Sequence, residues 1–248
     1  MFGSVNISLY GEILLPEQSG PNRQSMHFAR LLHLVDSALP TGSFAYSYGL
    51  ESSITFGLIT TPFALRNYLY SYLQQAGSAE LPFIHSAFQL TEKSPGFQTV
   101  AEEYDAQLLV PSLYKASAVQ GRSWLKLLAT FYPEAQLETI THWFAMQNIP
   151  PHFTLVFTLA LQRVGFALEE LQAMYLHLLL RDQLSAAIRL GFLGPLEGHR
   201  LQHDFYAVFE HVLAAQVGKG YGEATRSAFL LDVAQVLHAD MYSKLFQN

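Results

Sequence analysis

The chain has 248 residues, of which 50% are apolar and 14% are charged, and its formal net charge is −6. Its lysines and arginines are scattered without a basic run, and nucleic-acid binding needs a concentrated positive field, so we expect no nucleic-acid partner. Cysteine is absent, which excludes disulfides, thiolate catalysis and cysteine-ligated zinc.

No stretch of the sequence predicts a membrane span. The strongest apolar run, residues 153–161, is shorter than the roughly 20 residues that cross a bilayer. The N-terminus lacks a basic region followed by an apolar run, which is the pattern of a secretory signal peptide. We therefore expect a cytoplasmic protein that does not contact membranes.

Residues 1–25 differ in pattern from the rest of the chain. Residues 5–10 alternate between apolar and polar side chains, which is typical of a short strand, and Pro16, Gly20 and Pro21 mark a loop. We interpret residues 1–25 as an irregular or strand-like N-terminal arm.

From Phe28 onward the apolar residues recur with the period of an α-helix. Pro150-Pro151 is the clearest internal break, and two very apolar segments follow it, residues 152–166 and 168–190. Helices that are apolar nearly all round are normally central in their fold. The pattern predicts an all-α single domain of roughly eight to ten helices over residues 26–248.

Several helix boundaries follow from local chemistry. Thr61 followed by Pro62 predicts a capped helix start, and Gly77 predicts the end of that helix, with Ser78 capping the next. Gly121 falls inside a predicted helix, where glycine is unfavourable, so it indicates close packing or a special contact.

Residues 39–51, here called the opening turn, combine turn-forming and aromatic residues. Pro40 disfavours helix at the preceding residue, Gly42 tolerates unusual backbone angles, and Ser43 is able to cap a new helix. Its aromatic side chains belong either to the core or to a protein-facing surface; they are Phe44, Tyr46 and Tyr48.

The sequence contains no strong catalytic motif. Lys219 lies between two glycines but lacks the spacing of a phosphate-binding loop, so we expect no hydrolysis of ATP or GTP. Ala45–Gly49 is one residue away from a nucleophile elbow, which requires a strand-to-helix turn. A small all-α serine hydrolase that uses Ser47 is therefore one alternative function.

A metal-binding alternative rests on two histidines. His199 and His203 are four residues apart and can share one face of a helix, as metal ligands do. No carboxylate or third histidine completes an obvious helical motif beside them. A direct histidine-based metal carrier is thus the second alternative.

Two further features indicate contacts with other groups. Arg189 lies in an apolar predicted helix, and a buried arginine needs carboxylate or carbonyl partners. It either holds the following glycine loop in place or belongs to a partner site. The tail, residues 238–248, is aromatic and positively charged without a predicted helix, and such segments commonly become ordered on binding.

Separated stretches of the chain resemble the urease accessory protein UreF family. They are Ala38-Leu-Pro-Thr-Gly-Ser-Phe-Ala-Tyr-Ser-Tyr-Gly-Leu-Glu51, Gln120-Gly-Arg-Ser-Trp-Leu125, His152-Phe153, Ser185-Ala-Ala-Ile-Arg-Leu-Gly-Phe-Leu-Gly194 and His238-Ala-Asp-Met-Tyr-Ser-Lys-Leu-Phe246. The resemblance covers residues 27–246 and rests on the order and spacing of these stretches. Ala239 and Lys244 depart from the family pattern, which has Glu and Arg at those positions.

The resemblance implies an all-α homodimer without catalytic activity or a cofactor. It implies binding to the accessory protein UreD, also called UreH, and to the GTPase UreG, with docking on apo-urease so that nickel reaches its active site. The partner-binding candidates that it implies are Phe44, Tyr46, Ser47, Tyr48, Glu51, Arg122, Arg189, Tyr242, Lys244 and Phe246.

Overall fold

The computed structural model describes residues 23–247, and the side chains from residue 25 onward. The predicted strand at residues 5–10 lies outside the described residues. The described chain is helical without a strand, which confirms the all-α prediction. Among residues 23–247, no helix combines the length and the apolar character needed to cross a membrane.

The chain divides into a short unit that ends at Leu39 and a larger unit that begins at Pro40. The described part of the short unit contains α1 (Arg23–Leu34). The helices of the larger unit are α2 (Leu50–Thr55), α3 (Pro62–Ala79), α4 (Leu81–Gln89), α5 (Phe97–Gln107), α6 (Pro111–Phe131), α7 (Glu138–Gln147), α8 (Phe153–Val164), α9 (Leu168–Arg189), α10 (Pro195–Gln216) and α11 (Phe229–Leu237).

The two very apolar segments form α8 and α9 at the centre of the larger unit. Every residue of α8 from Thr154 to Leu161 is buried, and the helix packs against α6 and α4. α9 packs against α10 and α3. The prediction that these segments are central is confirmed.

The predicted helix boundaries are partly right. The Thr61 side chain accepts a hydrogen bond from the Ala64 N–H, and Pro62 opens α3, as predicted. Gly77 does not end α3, because it lies inside the contact with α10, where an added Cβ would come within 2.4 Å of Val212 Cγ1. Ser78 therefore caps no helix, and α4 begins at Leu81.

The opening turn begins with a 3₁₀ turn, Ser43–Ala45, rather than with a longer helix. The predicted cap at Ser43 is wrong, because Gly42 occupies the cap position of this short turn. The next α-helix, α2, starts at Leu50 after Gly49. The chain thus remains non-α-helical from Pro40 to Gly49, which exposes its backbone groups to contacts from other elements.

Gly121 brings α6 and the start of α8 into direct contact. A Cβ at this position would lie 1.8 Å from the carbonyl oxygen of Pro151. The atoms nearest to such a Cβ all belong to the backbone of Pro151 and His152, so no flexible side chain could move away to make room. The predicted close packing at Gly121 is therefore confirmed.

We predict that Gly121→Ala destabilises the protein by about 3 kcal/mol or more, because the methyl group overlaps backbone that cannot relax locally. Urea unfolding followed by circular dichroism measures the change. Gly222→Ala is the matched control, since its Cβ would meet no atom within 4 Å. Equal stability of the two variants would show that α6 and α8 are not in the described contact.

His152 stands immediately before α8 and is completely buried. Its Nε2 lies 2.9 Å from Asp105 Oδ1 of α5. Burial lowers the pKa of His152 below its ordinary value of 6.5, although the hydrogen bond to Asp105 and the charge of that carboxylate oppose the shift. The imidazole is therefore neutral in the folded protein at neutral pH.

This burial predicts a pH dependence of stability. Below about pH 6.5 the unfolded chain binds a proton that folded His152 resists, so the free energy of unfolding falls as pH decreases towards the folded pKa. The slope from this group approaches ~1.4 kcal/mol per pH unit. Urea unfolding between pH 7.5 and pH 5 should show a weaker dependence in His152→Gln, and identical slopes would contradict the prediction.

Candidate functional site: the junction of the opening turn and the tail

The backbone of the opening turn is held in an uncommon shape. Gly42 and Gly49 have φ angles of 84° and 90°, and Tyr48, which carries a side chain, has φ of 52°. A Cβ at Gly49 would lie 3.1 Å from the backbone nitrogen of Gln235 and 3.2 Å from Ala234 Cβ. The glycine therefore allows the opening turn to lie directly against α11.

Neighbouring helices hold the polar groups of the turn around Tyr48. The Tyr48 hydroxyl accepts a hydrogen bond from Gln120 Nε2 of α6, and its carbonyl accepts one from the Tyr68 hydroxyl at 3.2 Å. Gln183 Nε2 of α9 donates to the carbonyl of Ser47 at 2.9 Å. Burial raises the pKa of Tyr48 far above its ordinary value, with a smaller contribution from the charge of Asp182. Both Ser47 and Tyr48 are buried, so Tyr48 serves the core in this structure.

Glu51 joins the opening turn to the tail. Its carboxylate is buried and accepts hydrogen bonds from the backbone N–H groups of Leu245, at 2.6 Å, and Phe246, at 3.2 Å. His238 Nε2 lies 2.8 Å from the same carboxylate. One charged side chain at the start of α2 thus fixes both ends of the tail.

Arg189, the last residue of α9, completes the junction. Its Nη1 donates to the carbonyl of Phe44 at 2.6 Å. The centre of its guanidinium lies 3.7 Å from the Phe44 ring centroid and 4.3 Å from that of Phe246, which is the range of cation–π contacts. Arg189 therefore binds a carbonyl, as predicted, but the carbonyl belongs to the opening turn rather than to the adjacent glycine loop.

The tail has a buried side and an exposed side. His238, Met241 and Phe246 are buried, and the Gln247 N–H donates to the carbonyl of Ala45 at 2.8 Å. Tyr242 is fully exposed, and Leu245 is 53% exposed. The tail is thus attached to the opening turn along one side and presents side chains outward on the other.

Lys244 lies on the exposed side of the tail, and its Nζ donates to the carbonyl of Ala239 at 3.1 Å. Arg122 is exposed on α6, two residues from Gln120. Tyr46 is half-buried, and its ring centroid lies 6.0 Å from that of Tyr48.

We name this arrangement the turn–tail junction; it consists of the opening turn from Pro40 to Glu51, Arg189 and residues 238–247. The structure connects four of the predicted site residues in a row: Glu51 contacts Phe246, Phe246 contacts Arg189, and Arg189 contacts Phe44. Ser47, Tyr48, Glu51 and Phe246 make internal contacts here, and their part in partner binding stays a prediction. Sequence reasoning missed the supporting residues Gln183, Tyr68 and His238, of which only His238 lay in a recognised stretch.

α11 carries a second feature, an apolar side that faces outward. Leu231, Ala234 and Gln235 on one side of the helix are buried, and the opposite side is apolar and exposed. The exposed residues are Phe229 and Leu230, each 68% exposed, Val233 and Val236. We call these four residues the α11 face.

The Ser47 hydrolase alternative receives no support from the geometry. Ser47 is completely buried, and its Oγ accepts the Glu51 N–H at 3.3 Å. The preceding segment is a 3₁₀ turn, and the described residues contain no strand that could form a nucleophile elbow.

The metal-carrier alternative is not supported either. His199 and His203 are exposed on α10. Within residues 23–247, no three or more histidine, aspartate or glutamate side chains are placed so that they could hold a metal ion together.

We predict that Glu51→Gln releases the tail locally. An amide supplies one carbonyl oxygen and places N–H donors where the carboxylate accepted backbone N–H groups, at a cost of about 1–3 kcal/mol. Hydrogen exchange of the Leu245 and Phe246 amides should become faster, while exchange in α8 changes little. Asp240→Asn, at an exposed carboxylate of the same tail, is the control. Unchanged protection of the two amides in Glu51→Gln would contradict the described contact.

Comparison with known proteins places this architecture in one family. The UreF family model matches residues 59–206. The chain is 36% identical over 218 residues to Urease accessory protein F of Oryza sativa subsp. indica, covering 86% of this chain and 82% of that protein. The protein of the same name from Arabidopsis thaliana is 35% identical, with 86% and 89% covered.

A bacterial relative extends the similarity. Urease accessory protein UreF of Paenarthrobacter aurescens is 27% identical over 222 residues, covering 88% of this chain and 96% of its own length. The family-model match includes Arg122 and Arg189 but not the opening turn or the tail. By its family-model match and these relatives, the chain belongs to the UreF family of urease accessory proteins.

Proposed function

We propose that this protein is a non-enzymatic scaffold for the maturation of the nickel site of urease in the cytoplasm. As a homodimer, it binds an accessory protein of the UreD or UreH type and the GTPase UreG, and it presents them to apo-urease. The observation that carries this proposal is the turn–tail junction, which holds exposed side chains of the tail in a fixed arrangement without forming a catalytic site.

The exposed side of the tail supports a protein-binding role. The Tyr242 side chain is fully exposed, although the His238 side chain before it and the Leu245 backbone N–H after it both contact Glu51. Aromatic residues with little conformational freedom are frequent hot spots in protein interfaces. Because the junction orders the tail in advance, a partner avoids much of the entropy cost of ordering it.

The α11 face supports the same role. It adds four exposed apolar side chains on the helix that leads directly into the tail. Contiguous apolar surface of this kind marks protein–protein interaction sites in many soluble proteins. We assign the α11 face and Tyr242 to the UreD-type partner, since apolar and aromatic groups form the centre of stable interfaces.

The first test is binding by the Tyr242→Ala variant. Co-expression with the UreD-type protein, UreG and apo-urease, followed by affinity purification and a urease assay, measures complex formation and activation. We expect Tyr242→Ala to weaken capture of the UreD-type protein by about 10-fold or more, because truncation of an aromatic hot spot commonly has this effect. Its own folding should be unchanged, since the side chain is fully exposed.

Met146→Ala is the matched control. Met146 is 68% exposed at the end of α7, and α7 packs against α6 and α8. If Tyr242→Ala and the double variant Phe229→Ala/Val233→Ala both captured partners and activated urease as the control does, the assignment of this surface would be overturned. Sedimentation equilibrium of the unmodified protein tests the proposed homodimer separately.

A further inference from the structure

α6 carries its positive charges along the side that faces away from the core. Lys115, Arg122 and Lys126 are exposed, and residues at this spacing lie on one face of a helix. Val119, which is 40% exposed, lies between them on the same face. The opposite side of the helix is buried and includes Trp124. We call Lys115, Val119, Arg122 and Lys126 the α6 face.

No acidic residue of the helix opposes these cations. α6 spans the 21 residues Pro111–Phe131 without an aspartate or a glutamate, whereas the whole chain has 20 acidic and 14 basic residues. At a rise of about 1.5 Å per residue, Lys115 and Lys126 are separated by roughly 16 Å along the helix. The α6 face is therefore a row of positive charge on a protein of negative net charge.

The cations of the α6 face are available to a partner. Among the described residues, none of the three forms an ion pair or a hydrogen bond through its side chain. By contrast, Arg66 of α3 lies 3.3 Å from Asp204. Arg163 of α8 likewise pairs with Glu92. A partner can thus contact the α6 face without breaking an existing ion pair.

Arg122 and Asp105 of α5 both act electrostatically on the buried His152. Burial is the main cause of the lowered pKa of His152, and the positive charge of Arg122 adds to that shift. Asp105 opposes it, because its Oδ1 lies 2.9 Å from His152 Nε2. This carboxylate is therefore engaged with His152 and forms no ion pair with Arg122.

The composition of the α6 face fits an acidic protein surface better than a nucleic acid. Three cations neutralise few phosphates, and the net charge of −6 opposes the approach of a polyanion. Val119 adds an apolar contact between Lys115 and Arg122, and protein interfaces combine apolar contacts with charged ones.

A second copy of this chain does not offer the matching surface. A complementary helix would carry three exposed carboxylates on one face. Of the helices between residues 23 and 247, α10 comes nearest to this pattern, with Glu197 and Asp204 seven residues apart. Asp204 already lies against Arg66, and residue 208 is a valine. The occupant is therefore a different protein.

We propose that the α6 face is a docking surface for a row of acidic side chains on the UreG-type GTPase. This inference rests on the proposed function, and it gives the GTPase a surface separate from the α11 face and Tyr242. A GTPase changes the conformation of its switch segments in each cycle of GTP hydrolysis, which requires reversible association. Exposed charges suit this requirement, because electrostatic steering accelerates association more than it increases affinity.

Reversing the charges of the α6 face tests the proposal. The variant Lys115→Glu/Arg122→Glu/Lys126→Glu should bind purified UreG about 10-fold more slowly than the unmodified chain at low salt, since its charges now repel an acidic surface. The difference should shrink at high salt, which screens exposed charges. Surface plasmon resonance with the UreD-type protein already bound measures the rates. Capture of the UreD-type protein itself should not change.

Lys93→Glu/Arg200→Glu/Lys219→Glu is the control, because it changes the net charge equally at three cations outside α6. It should bind UreG at nearly the rate of the unmodified chain. Equal rates for the two triple variants, or a difference that does not depend on salt, would refute the docking surface and leave the proposed function intact. A defect in binding apo-urease or duplex DNA, with normal binding of UreG, would refute it as well.

Two further outcomes are also decisive. If the unmodified chain bound no UreG, the proposed function would fail together with this inference. If the charge-reversal variant did not fold by circular dichroism, Lys115→Gln/Arg122→Gln/Lys126→Gln would replace it, since this variant removes the positive charges without adding negative ones. It should slow association by about 3-fold at low salt, and an unchanged rate would refute the docking surface.

Discussion

A buried carboxylate determines where the tail of this protein lies. Removing the charge of Glu51 from water is unfavourable unless hydrogen-bond donors replace the water, and here two consecutive backbone N–H groups and His238 supply them. Backbone donors are present at nearly every residue, so this attachment does not depend on the side chains at positions 242–245. Those side chains are consequently available to face outward.

The remaining contacts of the junction reinforce the same arrangement. Arg189 places its guanidinium against Phe44 and Phe246, so one cation contacts both the opening turn and the tail. Gln120 and Gln183 hold the turn from α6 and α9. Stretches that are far apart in the sequence thus form a single structural unit.

The sequence predicted those features that local chemistry controls. Thr61-Pro62 specifies a helix start, and Pro150-Pro151 specifies a break, because each acts on its own backbone. The end of α3 was mispredicted because Gly77 is required by close packing against Val212 of α10, and not by the end of a helix. The hydrogen-bond partners of Glu51 could not be predicted for a related reason. Residue 245 lies 194 positions away, and the periodicity of apolar residues carries no information on contacts between such distant positions. Ordinary loop composition likewise gave no sign that the tail backbone is bound.

The same separation has a consequence for how the protein is made. Glu51 leaves the ribosome long before residues 245 and 246 are synthesised. Its carboxylate therefore lacks these two hydrogen-bond donors during the time in which most of the helical domain is already able to fold. Closing a loop of this length is also entropically unfavourable, which places the junction among the late events of folding. A chain that stops before residue 245 therefore contains the helices of the larger unit but lacks the two backbone donors that bind Glu51.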